Sequence, residues 1–136
     1  ENTPHACQRA AEHGLTMVIE PINARDMPGY FLSDFGFAAD LVTELGLPNL
    51  ELQYDIYHRQ ILHGDIIRSI DTLIGMIGHV QISAVPDRHE PGSGELDDGR
   101  ILRHLDASGY DGFVGLEYRP AGDTLAGLAW RQNLGF

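Results

Sequence analysis

An α/β fold built on a parallel sheet is the reading the sequence supports, and three observations carry it. Short apolar, strand-like runs alternate with longer stretches whose apolar residues recur at helical spacing. The alternation repeats in four strand-helix units with no composition break, low-complexity tract or linker, the pattern of parallel strands joined by helical crossovers. The length, 136 residues with 43% hydrophobic side chains, suits one domain with a packed core.

Taken in order, Thr3-Pro4 ahead of "HACQRAAEH" and Gly14 supply the N-cap, first-turn proline and terminal glycine of a short helix. "LTMVIE" follows as a strand that stops at Glu20-Pro21. Helical spacing returns in "YFLSDFGFAADLVTELG" as far as Gly46, and "NLELQYD" is again a strand. "HRQILHGDIIRSIDTLIG" predicts one helix and "GHVQIS" the third strand. "DDGRILRHLDASG" predicts a helix with an aspartate cap and Gly109 as its stop, before the fourth strand, "GFVGLEY". "DTLAGLAWRQNL" is expected to form a last helix with Trp130 and Leu134 on its apolar stripe. Two connections are long enough to carry function: "AVPDRHEPGSGEL" from Ala84 to Leu96, and "RDMPGY" from Arg25 to Tyr30.

Bulk properties narrow the partners. No apolar run approaches the roughly 20 residues of a membrane helix, and nothing resembles a signal peptide. A single cysteine, Cys7, cannot form an intramolecular disulfide, so a cytoplasmic location is expected. The net charge of -11 opposes binding to nucleic acid or to anionic membrane surfaces, so neither is an expected partner. All nine basic residues are arginines; without lysine there is neither a Schiff base nor a P-loop lysine.

Strand parity then sorts the side chains. Met17 and Ile19, Leu50, Leu52 and Tyr54, Val80 and Ile82, and Val114 and Leu116 form one apolar set, suited to a face covered by helices. The opposite set contains Thr16, Val18 and Glu20; Glu51, Gln53 and Asp55; His79 and Gln81; and Phe113, Gly115 and Glu117. Glu20, Asp55, Gln81 and Glu117 fall at the C-terminal ends of four consecutive strands, where barrels and open α/β sheets place ligands. Any one of these acids is most simply a solvated loop start, but four polar ends in register point to a site. Three carboxylates and an amide oxygen in one cleft repel one another unless a cation sits among them, and an all-oxygen shell favours Mg2+ or Mn2+ over zinc or copper.

The segments "EPINARDMPGYF", "LQYDIYH", "GHVQIS", "DRHEPGSGE" and "GYDGFVGLEYRP" together resemble the hydroxypyruvate isomerase family, a branch of the xylose isomerase-like TIM barrels that also include the ketose 3-epimerases. The resemblance extends over nearly the whole chain. It implies a metal held by Glu20, Asp55, Gln81 and Glu117, the four residues that parity selects. It also implies that Glu20 and Glu117 flank the substrate as the catalytic acid/base pair, with His58 and Arg88 near its oxygens. In related epimerases the Gln81 position is usually histidine, so glutamine points to the hydroxypyruvate isomerase branch. The implied reaction converts hydroxypyruvate to tartronate semialdehyde by proton transfer through an enediolate. The small-molecule partner is accordingly a keto acid or keto sugar.

A complete barrel of this kind has about 250 residues and eight strands. The resemblance is to the C-terminal half, so residues 1–136 are expected to form about four (β/α) units of a TIM barrel, a half barrel. Such a half leaves edge strands and an open interior face, which implies a missing N-terminal half or a homo-oligomer. Alternative readings are a related keto-sugar or 2-oxo-tetronate isomerase or epimerase, and a non-catalytic half-barrel fragment. A zinc phosphodiesterase on the same barrel would want several histidine ligands and a basic DNA face, and neither is visible.

The remaining features have plainer readings. Arg88 suits a carboxylate-bearing substrate through its bidentate guanidinium, while His89 has no assigned role. Asp26 has two equal readings, substrate contact from its loop or a capping, solvated position. Gly92-Ser93-Gly94 is read as a turn rather than a phosphate cradle. His5, His13, His63 and His104 are expected at the surface, His79 inward, and Cys7 buried in the first helix.

Overall fold

Four parallel strands and the helices between them define the architecture. The computed structural model describes residues 2–135; Glu1 and Phe136, the ends of the expected domain, lie outside the described residues. The order is α1 (Asn2–Ala11), β1 (Met17–Ile19), α2 (Phe35–Leu45), β2 (Leu50–Asp55), α3 (Ile56–Leu62), α4 (Ile66–Leu73), β3 (Ile77–Ile82), α5 (Asp98–Ala107), β4 (Val114–Leu116), α6 (Thr124–Gly127) and α7 (Trp130–Leu134). The sheet runs β1-β2-β3-β4, all parallel, with Met17 beside Leu50, Asp55 beside Gln81 and Gln81 beside Gly115. This is the expected run of (β/α) units.

Local chemistry explains most boundaries. Asp34 caps α2 by accepting from the Phe37 N–H, and Gly46 ends it in the left-handed region at φ 55°. Asp97 caps α5 in the same way through the Arg100 N–H. The helix expected from His58 to Gly75 is instead two helices. Gly64 and Asp65 take φ values of 60° and 52°, which no α-helix accommodates, and the chain turns there. That turn brings Ile66 and Ile70 into the core, and Tyr54 hydroxyl pairs with Ser69 beside them. The last helix is also broken: Leu128 and Ala129 have ψ near -10° and -17°, a tighter 3-10-like turn between α6 and α7. Trp130 is nevertheless buried and Leu134 packs against the core, as an apolar stripe requires.

The core lies between the sheet and the helices, where Leu52, Tyr54, Val80 and Ile82 meet Phe35, Ile70, Ile101 and Leu105. Ile77 joins them although it is an odd number of residues from Val80, which strict alternation forbids. A bulge resolves this: Leu52 pairs with Ile77 but Gln53 with His79, so Gly78 is the extra residue. A β-carbon at Gly78 would overlap the Glu51 side chain, so the bulge needs glycine. The bulge thus turns Ile77 to the helices while His79 and Gln81 stay on the open face.

A cavity of about 560 Å³, lined by Ile82, Leu102, Val114, Leu116 and Trp130, opens on the helix side of β4, away from the carboxylates. β1 and β4 have no outer neighbour among the described residues. Leu116 and Phe113 beside that edge are 44% and 88% exposed, well above the core strands. No helix among the described residues is long and apolar enough to cross a membrane.

Candidate functional site

Each strand end delivers one polar group. Glu20 lies one residue past β1, Asp55 closes β2, Gln81 is the penultimate residue of β3, and Glu117 follows β4. Asp55 is buried and caps α3: its Oδ1 accepts from the backbone N–H groups of Tyr57 at 2.7 Å and His58 at 3.4 Å. Its other oxygen, Oδ2, has no hydrogen-bond partner, and neither has Oε1 of Glu20. Ligand-competent atoms of Glu20, Asp55 and His58 lie within 4.8 Å of one another.

Two carboxylates in this position are unfavourable as anions. Burial, reinforced by the charge of Glu20, pushes Asp55 up to about 7, against the opposing α3 N–H groups and Arg88. Burial likewise raises Glu20, with Glu117 adding to the rise and contacts from Gln53 and Arg88 opposing it.

His58 is buried, and its Nδ1 faces donors. The Asn23 backbone N–H donates to it at 3.2 Å and Asn23 Nδ2 lies 2.7 Å away. The orientation of the Asn23 amide is set independently, because Oδ1 accepts from the Asp26 N–H at 2.9 Å and Nδ2 donates to Asp26 Oδ2 at 3.1 Å. The His58 proton therefore sits on Nε2, 3.7 Å from Asp55 Oδ2. Burial and the Arg88 charge hold its pKa down to about 4, so the ring is neutral and offers an N–H donor to the cleft.

Arg88 spans the mouth. It lies in the long loop at φ 58° and its guanidinium sits over the Tyr57 ring, 4.8 Å from the centroid. Nη2 donates to Glu117 Oε2 at 2.7 Å and lies 3.7 Å from Asp55 Oδ2, while Nη1 is 3.9 Å from Asp26. Burial acts to raise Asp26, but bonds from Asn23 and Tyr57 and the charge of Arg88 outweigh it and lower its pKa. Gln81 Oε1 accepts from Gln53 Nε2 at 2.6 Å. Gly115 makes room there: a β-carbon would stand 2.8 Å from His79 Nε2 and 3.3 Å from Gln81 Cγ.

The donor set fits a hard divalent cation. Two buried carboxylate oxygens lack partners, two more oxygen donors stand on the neighbouring strand ends, and the imidazole presents a proton rather than a lone pair. The structure gathers Glu20, Asp55 and His58 tightly and links Arg88 to Asp26, Asp55 and Glu117. Sequence reasoning passed over Asn23, Tyr57 and Gln53. Gln53 was inward by parity, whereas Asn23 and Tyr57 owe their places to loop folding that no spacing reveals.

Residues 1–134 match the family described as xylose isomerase-like TIM barrel. The chain belongs to that family. Within it, a 2-oxo-tetronate isomerase from Cupriavidus necator is 48% identical over 130 residues, covering 96% of this chain and 50% of its own length. A hydroxypyruvate isomerase from Escherichia coli K12 is 38% identical over 130 residues, again 96% of this chain and 50% of the relative. The solved structure of an AP endonuclease, family 2, from Brucella melitensis superposes with a TM-score of 0.91 at 46% identity, covering 94% of this chain and 50% of that one. This xylose isomerase-like chain therefore spans about half the length of the curated relatives it matches.

Proposed function

We propose that this chain carries the site of a metal-dependent isomerase that interconverts a small 2-keto acid with its aldehyde isomer, hydroxypyruvate with tartronate semialdehyde. We also read residues 1–136 as the C-terminal half of a barrel whose remaining strands come from a longer polypeptide or a second copy. The two sheet edges left free among the described residues and the half-length match to the relatives support that reading. The observation that carries the functional reading is the pair of buried, unpartnered oxygens on Glu20 and Asp55 beside a neutral imidazole and a guanidinium.

Glu20, Asp55, Gln81 and Glu117 would hold Mg2+ or Mn2+, which supplies positive charge against which substrate oxygens become more acidic. Arg88 turns its fork of donors to the substrate carboxylate and keeps Glu117 directed at the cleft. His58 donates its Nε2 proton to a substrate oxygen, and Asp26 holds Arg88 and Asn23 in place. One of Glu20 and Glu117 removes the proton at C3 of the keto acid, and the other returns a proton to C2 as the hydroxyl proton passes from O3 to O2. The carbonyl thereby moves one carbon along. A cytoplasmic location accords with the free, buried Cys7.

The 48% identity to the Cupriavidus relative supports a second reading, a four-carbon 2-oxo acid as substrate. A phosphodiesterase reading is disfavoured by the net charge of -11 and by one histidine in the cluster. The intact protein should be assayed with hydroxypyruvate and with 2-oxo-tetronate. Faster turnover of hydroxypyruvate supports the proposal, and turnover of the four-carbon acid alone would replace it with the second reading.

A further inference from the structure

Gln53 has no role in the site as described, and its surroundings give it one. It lies on β2 two residues before Asp55, on the same face, half-buried and beside His79 across the sheet. Its Nε2 donates to Gln81 Oε1 at 2.6 Å. On its other side, Ile19 pairs with Leu52, so the residue that follows, Glu20, stands next to Gln53, whose amide works against the burial that raises that acid. An ionised carboxylate and an amide oxygen are both acceptors, so only the NH2 of Gln53 can serve them together: two protons for two oxygens.

The consequence falls on Gln81. Its carbonyl and amino ends are nearly equal in shape, yet only the carbonyl can ligate a hard cation. A donor at Oε1 selects the orientation with the oxygen towards Glu20, and a carbonyl oxygen keeps a second lone pair for the cleft. Gly115 leaves the space in which that side chain lies.

We propose that Gln53 is a positioning residue whose NH2 bridges Glu20 and Gln81 and directs both oxygens at a divalent cation. The inference rests on the metal-binding reading above. Titration calorimetry with Mn2+ on the intact protein tests it. Gln53→Met keeps the side-chain length and removes both donors; Mn2+ affinity should fall about 10- to 100-fold, the usual effect of losing a residue that orients a ligand. The melting temperature in chelator should barely change. In a Gln81→Ala background the same substitution should cost less, because one of the two bridged oxygens is gone. Should Gln53→Met fail to fold, Gln53→Leu is measured with the same expectation. Wild-type affinity in a folded Gln53 variant, or an equal loss with and without Gln81, overturns the bridge alone. A wild-type protein that binds no Mn2+ overturns the metal reading and the bridge with it.

Discussion

Asp55 performs two tasks with one carboxylate. One oxygen caps α3 and the other is left bare in the cleft, so the residue is pinned in place by the helix it starts. Its pKa of about 7 lies above the ordinary carboxylate value near 3.9, so below about pH 7 the cation-free site holds a proton that a cation must displace. Mn2+ affinity should therefore fall as the pH drops below about 7, by up to about tenfold per unit, and level off above it. Calorimetry across pH checks this, and Asp55→Ala should both weaken binding and flatten the slope. Glu20→Gln and Glu117→Gln keep an oxygen and the shape but lose the basic group. Each should still bind Mn2+ while turnover falls about hundredfold or more in a steady-state assay. Parity alone located these strand-end residues. The Asn23 amide that sets the His58 tautomer depends on a loop-to-helix contact 35 residues apart, which has no sequence period.

The elements hold these residues through a few local devices. The aspartate cap of α5 and the glycine stop of α2 were legible, because capping is written in adjacent residues, whereas the caps at Asp34 and Asp55 emerged only in the structure. The break at Gly64-Asp65 was not, since a single glycine inside an apolar-periodic run is compatible with a continuous helix. The Gly78 bulge was equally hidden: alternation read from His79 onward is correct, and only the burial of Ile77 exposes the phase change. Gly78→Ala should force Glu51 and β3 apart and cost about 1–3 kcal/mol, measured by chemical denaturation. Because the bulge sets which face His79 and Gln81 occupy, Mn2+ affinity should drop in the same variant. An unchanged midpoint and affinity would mean that the strands absorb the methyl elsewhere.

At the scale of the whole molecule, the described residues form an acidic four-strand segment in which each strand ends at a polar residue. The charge of -11 raises the local concentration of cations and repels anions at a distance, so under the proposed function a small anionic substrate would be drawn in by Arg88 and the cation together. The alternation of elements and the polar residue at each of the four strand ends were both readable from periodicity. The exposed edges accord with the proposed half barrel, since four of eight units would leave β1 and β4 each with one unpaired edge among the described residues. What periodicity could not show is the bonding among the site residues, above all Arg88 held to Glu117 and Gln53 bonded to Gln81. The most direct test of the account is deuterium incorporation from heavy water into hydroxypyruvate by the intact protein, followed by NMR with Mn2+ and after its removal by chelator. The account predicts exchange at C3 that depends on the ion, is lost on chelation and returns when Mn2+ is restored. Exchange that is unaffected by chelation, or no exchange in the Mn2+-loaded protein, would contradict it.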